Sequence, residues 1–262
     1  MINSICCVNQ TKSVSHPDFI RIVSSVNDQV RRDFAPYWQK YAVVFAAQTP
    51  SQVPASSWKI IVKDQPSEGE AGFLGEHDVT GGANVPEGMV LAAFSESNGV
   101  PWSSVLSHEV LELLADEWIN LYVEHLDPKT GPQLWYREVC DPVQGDLYED
   151  PHGVVLANFV LPNYFTDSAN GPFDFRRLVT KPFEIRPGGY AGYLQLSSKG
   201  LVEKQVFGEK YPDWRRNAAT RKMKRHLKSA KWANAPVEPN TMAAHTEPVL
   251  EIETLEAKEE VT

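Results

Sequence analysis

Apolar residues recur along this chain in two rhythms. Residues 5–8 (Ile-Cys-Cys-Val) form a short continuous apolar run, as expected of a strand buried on both faces. Beyond it Phe19, Val23, Val26, Val30 and Phe34 follow at three- and four-residue steps, which predicts an amphipathic helix. Ser15-His16-Pro17-Asp18 supplies its start, with a capping hydroxyl, a proline in the first turn and an early acid. Pro36 predicts its stop near Phe34. Strand patterns follow at 41–46, 58–64, 71–78 and 89–94. The third is weakened by glycines and is therefore expected at a sheet edge. Pro101 and Trp102 open a second helix running to about Trp118. The segments 134–142, 154–161, 173–179 and 192–196 then read as extended, with turns at 127–132, 148–152 and 187–190.

The second helix carries the most informative chemistry. His108 and Glu112 stand four residues apart, so they share one face, and Glu109 points to the adjacent side. An imidazole and a carboxylate on one face can hold a metal, and a neighbouring carboxylate can take a proton from metal-bound water. The His-Glu-x-x-His form of this pattern has a second imidazole where this chain has Glu112. The competing reading is an acidic helix with a solvated His. For a third ligand the sequence offers Glu138 first and Asp116 second, with Asp141 as a further candidate. Asp116 lies two turns beyond His108, rotated by roughly 80°. Glu138 and Asp141 are equally readable as a turn acid and a partner of Arg137. His77, on the predicted edge strand, is placed to touch substrate or metal, or else is simply exposed. Cys140 reads as a buried thiol rather than a nucleophile. Tyr164, Phe165 and Tyr190 read as core or turn residues. Zn²⁺ is the expected ion. With one His among carboxylates, Ca²⁺, Mn²⁺ and Mg²⁺ compete.

Composition narrows the class. The chain has 262 residues, 42% of them hydrophobic, which is enough for one large domain or two small ones. A net charge of −9 argues against the whole chain being a nucleic-acid binder. No apolar run approaches the roughly 20 residues of a membrane span, so no membrane partner is expected. The first residues lack a basic, then apolar, secretory pattern. Three cysteines without a Cys-x-x-Cys pair suit reduced thiols and a cytoplasmic setting. Charge is unevenly distributed. Residues 204–232 hold ten Lys and Arg against two acids, and residues 233–262 hold seven Glu against one Lys. The first stretch predicts a basic helical extension over 199–232, with Arg215, Arg216, Arg221, Lys222, Lys224 and Arg225 as candidate phosphate contacts to nucleic acid or another anionic partner. Its other reading is a solvated helix paired with the protein's own acidic surface. The second stretch predicts a disordered acidic tail.

The order strand, helix, several strands, then a His-Glu helix resembles the N-terminal half of the zincin metalloproteases. In those proteins a twisted sheet lies on two helices, and an edge strand lines the substrate cleft. Four ordered motifs sharpen the resemblance: Ser107-His108-Glu109-Val110-Leu111-Glu112-Leu113-Leu114, Glu138-Val139-Cys140-Asp141-Pro142, Asn158-Phe159-Val160 leading to Pro162 and Tyr164-Phe165, and Pro187-Gly188-Gly189-Tyr190. Together they resemble a family of bacterial and phage-encoded zincin-like proteins. Two positions depart from that family: Asp116-Glu117 stands where it has Asp-Pro, and Asn158 where it has Asp. The resemblance implies an α+β, zincin-like domain over residues 1–198, a twisted mixed sheet on two helices with the motif on the second. It implies a metal-dependent hydrolase, most simply a peptidase acting on a peptide or protein, with His108 and Glu112 as ligands and Glu109 as general base. The alternatives are a non-catalytic binding or structural protein, virion-associated if phage-encoded, and nucleic-acid association through the basic extension.

Overall fold

Ile5, Cys6, Cys7 and Val8 are all fully buried, and the strand they form, β1 (Asn3–Asn9), sits inside a five-stranded sheet. The computed structural model describes residues 3–67, 73–80, 85–197, 200–213 and 253–256. β1 pairs in parallel with β2 (Ala42–Ala47) on one side and β3 (Trp58–Lys63) on the other. β4 (Gly75–Thr80) and β5 (Val85–Leu91) complete the sheet in the order β2-β1-β3-β5-β4. β5 runs parallel to β3, and β4 is the antiparallel edge. The expected edge position of this glycine-bearing strand is thus observed, over 75–80 rather than 71–78.

Two helices cover one face of the sheet. α1 (His16–Gln29) begins as its sequence dictates, with Ser15 Oγ accepting the Asp18 N–H and Pro17 in the first turn. It buries Phe19, Ile22, Val23 and Val26 in the main core. Pro36 does not stop it. A π-turn at Val30–Phe34 carries the chain into a short helix, α2 (Ala35–Trp38), where Pro36 occupies the first turn and its missing N–H costs nothing. The predicted strand 89–94 is cut short because β5 ends at Leu91 and Ala92–Ser97 turns into α3. α4 (Trp102–Ala115) follows, ending three residues before the predicted Trp118. Every residue of α4 except His108 is buried. A helix apolar nearly all round belongs inside a protein, and its serines are satisfied internally: Ser107 Oγ donates to Gln29 Oε1, and Ser103 Oγ to the Val155 carbonyl.

A second five-stranded sheet takes in part of two segments read as extended, 134–142 and 192–196, and adds three strands the apolar pattern did not predict. β6 (Tyr122–Asp127) and β7 (Gly131–Tyr136) form a hairpin around the predicted turn. A two-stranded ribbon, β8 (Tyr148–Glu149) with β9 (Val155–Leu156), precedes β10 (Tyr190–Ser197) and β11 (Gly200–Phe207). β12 (Glu253–Glu256) pairs in parallel with β11, giving the order β12-β11-β10-β7-β6. The predicted strands 154–161 and 173–179 reduce to β9 and a single bridge between Val160 and Asp174. Side chains take the backbone partners there: Asp174 Oδ1 accepts the Leu178 and Val179 N–H groups, and Asn158 Oδ1 accepts that of Arg176.

The protein is therefore a mixed α+β structure with few helices. The β10–β11 hairpin carries the folded unit across the predicted boundary at 198, and Lys204 lies in a strand rather than in a helical extension. Of the predicted acidic tail only the four residues of β12 lie among the described residues. Among those residues no helix is long and apolar enough to cross a membrane.

Candidate metal centre

α4 presents His108, Glu109 and Glu112 to two other segments. The first is β4, drawn close because position 75 is glycine. A Cβ there would stand 2.7 Å from Val105 Cγ1 and 2.8 Å from Glu109 Oε1. β4 thereby brings His77 onto the helix, fully buried, with Nδ1 3.1 Å from Glu109 Oε2 and 3.8 Å from Glu112 Oε2. The second is the stretch that leaves β7. It is not the strand expected over 134–142. The chain leaves the sheet after Tyr136 and closes into a 3₁₀ turn at Asp141–Val143 with Pro142 in its first turn. This turn aims Asp141 at the helix, with Oδ1 3.2 Å from His108 Nε2. Glu138 reaches the other side, with Oε2 3.7 Å from His77 Nε2.

Glu112 is the hub. Its Oε1 accepts the backbone N–H groups of Cys140 and Asp141, each at 3.2 Å, which fixes the carboxylate's orientation. Its Oε2 lies 3.0 Å from His108 Nε2, one helical turn away. Each of the three ligand-atom groupings found here contains Glu112: with His108 and Cys140, with His77 and Glu109, and with Glu138 and Asp141, the atoms of each grouping lying within 4.8 Å of one another. All four carboxylates are buried, and the opening to solvent is at His108, whose side chain is 12% exposed. Burial alone would lower the His108 pKa. The Glu112 charge and hydrogen bonds to Asp141 and Glu112 outweigh it and push the imidazole up to about 10.

The structure thus brings His77, His108, Glu109, Glu112 and Glu138 into one cluster and adds Asp141. Asp116 must be withdrawn as a ligand. It caps the end of α4, accepting the Asn120 and Leu121 N–H groups with its two oxygens. The simple exposed reading of His77 is likewise overturned by its complete burial. Asp141 is a turn acid, in the first turn of the 3₁₀ segment, while the Arg137 guanidinium lies 4.8 Å over the Trp38 ring and feels the charge of Asp116. The Asp141-Pro142 pair marks the start of a turn, a signal that the extended reading of 134–142 passes over. Cys140 is a buried thiol with Sγ 3.9 Å from the His108 carbonyl oxygen. Tyr164 is a core residue packed on Phe165 and Phe183. Arg215, Arg216, Arg221, Lys222, Lys224 and Arg225 lie outside the described residues. No family model matches the chain, and no curated protein or solved structure matches it.

Proposed function

We propose that the chain is a zincin-like metal-dependent hydrolase, most simply a peptidase. The observation that carries this reading is the set His108 Nε2, Glu112 Oε2 and Asp141 Oδ1, with separations of 3.0 and 3.2 Å about the imidazole nitrogen and Glu109 beside it. Ligand atoms about 2.0 Å from a tetrahedral zinc stand roughly 3.3 Å from one another, and the two separations about the imidazole nitrogen are of that size. A sheet lying on two helices, with an edge strand against the motif helix, adds support. A bound zinc supplies a water of lowered pKa and a charge that polarises an amide or ester carbonyl. Glu109 takes the water's proton and delivers it to the leaving nitrogen. His77 steadies Glu109 through Oε2, and the second oxygen of that carboxylate carries the proton. Glu112 is held as a ligand by the two amides on its other oxygen.

The burial of Glu109 favours a second reading, a cation that ties β4, α4 and the 138–141 segment together without turnover. Elemental analysis and a peptide-cleavage screen separate the two. Purified protein is expected to carry zinc that His108→Ala loses, and to cleave an unfolded protein substrate. Glu109→Gln is expected to keep the metal while hydrolysis falls about a hundredfold or more. Metal without cleavage supports the structural reading, and cleavage that survives Glu109→Gln removes Glu109 as the base.

A further inference from the structure

We propose that Arg186 and Asp146 are positioning residues of this centre, clamping the turn that carries Asp141. The proposal rests on the metal reading above and deepens it. The 3₁₀ turn at Asp141–Val143 supplies the Asp141 carboxylate beside His108. Together with Cys140 it also supplies the two amides that orient Glu112. A displacement of this turn therefore moves one proposed ligand and the support of another together.

Residues 186–189, which lead into β10, hold the turn. The Arg186 N–H donates to the Pro142 carbonyl at 2.9 Å, and Arg186 Nε donates to Asp146 Oδ2 at 3.0 Å. One residue thus grips the turn at its start and at its exit. Asp146 is itself tied back, its N–H donating to the Val143 carbonyl at 2.8 Å. Glycines let the two backbones lie in contact. A Cβ at Gly189 would stand 2.3 Å from the Pro142 carbonyl oxygen and 3.0 Å from that of Asp141, and one at Gly145 would stand 2.4 Å from that of Pro187. The clamp is anchored at the open end of the β10–β11 hairpin, where the Gly188 N–H donates to the Glu209 carbonyl and the Gly208 N–H to that of Gly189. The second sheet thereby sets where Asp141 stands. Within the clamp the Arg186–Asp146 pair is the part that side chains make. With side chains 26% and 17% exposed, it is less screened by water than a surface pair. The guanidinium also lies 4.0 Å from Glu184 through Nη1.

The test compares the full chain with Arg186→Ala, Asp146→Ala and the double variant. Each is stripped with a chelator and titrated with Zn²⁺, and the stripped form is unfolded in urea. Groups that orient metal ligands are worth about 10–100-fold in affinity. Because the backbone grip on Pro142 remains, each single variant is expected to bind Zn²⁺ about tenfold more weakly. The double variant should bind no more weakly than either, since both changes break one contact. Loaded with Co²⁺, the single variants should shift toward the visible absorption of Asp141→Ala, because the ion loses hold of the same carboxylate. Arg186→Lys, which can still pair with Asp146, should recover part of the affinity. Unchanged affinity and an unchanged Co²⁺ spectrum overturn the positioning role and leave the metal reading standing. So does a weaker affinity that only follows a fall in the stability of the stripped protein and leaves the spectrum unchanged. Additive losses in the double variant overturn the pairing. An unaltered chain that takes up no ion overturns the metal reading and this role with it.

Discussion

At the residue scale His108 joins the proposed ligand role to a proton that its neighbours hold in place. Its pKa, raised from 6.5 to about 10, means that the metal-free site holds it as an imidazolium between Glu112 and Asp141. A metal must displace that proton to reach Nε2. Affinity should therefore climb by about tenfold per pH unit between about pH 7 and about pH 9, and level off above the imidazole's pKa. The stability of the metal-free protein should move the other way. A raised folded-state pKa contributes stability that is fully present below the unfolded value of 6.5 and is lost as pH rises through about 10. Chelator competition and urea unfolding of stripped protein across that window check the two slopes together. An affinity that does not change with pH would mean that the ion displaces no proton from His108 Nε2.

At the element scale the centre depends on how closely β4 lies against α4, and Gly75 sets that distance. Gly75→Ala would push a methyl into Val105 and Glu109, at separations well inside ordinary contact. The expected cost is about 1–3 kcal/mol of stability, as for overpacking elsewhere. Weaker metal binding should accompany it, because the shift moves His77 and Glu109 apart. Urea unfolding and metal titration of the variant measure both, and unchanged affinity would mean that the β4–α4 spacing is irrelevant to the site. Much of this unit was legible in the sequence. The run 5–8, the periodicity from Phe19 and the His108/Glu112 spacing gave β1, α1 and the motif face of α4 because each is a local pattern. Asp116 misled because rotation about a helix axis says nothing of where the helix stops, and the chain breaks there to satisfy Asn120 and Leu121. The segment 134–142 misled because alternation continues past Tyr136 after the ladder has ended. The second sheet was legible only in part: 134–136 and 192–196 read as extended, but the pairing that joins its two hairpins, Tyr193 with Trp135, spans more than fifty residues and no local pattern announces it.

At the scale of the whole molecule the centre is where the two sheets meet in chemistry. His77 belongs to the edge of the first sheet, His108, Glu109 and Glu112 to the buried helix, and Glu138 and Asp141 to the segment leaving the second sheet at Tyr136. An ion bound to all three would act on folding as a ligand of the native state alone, since the unfolded chain does not bring these groups together. At a free concentration about a hundred times its dissociation constant, one such ion adds about 2.7 kcal/mol. Loading with Zn²⁺ or Mn²⁺ should therefore raise the thermal midpoint by several degrees. Amide exchange should slow at residues 75–78 and 138–141 at the same ion concentration, because neither segment can open without releasing the ion held by the other. If protection rose within α4 but not in those two segments, the ion would be a ligand of the helix only, and the two sheets would owe their association to the apolar contacts of Val139, Cys140 and Val143 in the shared core.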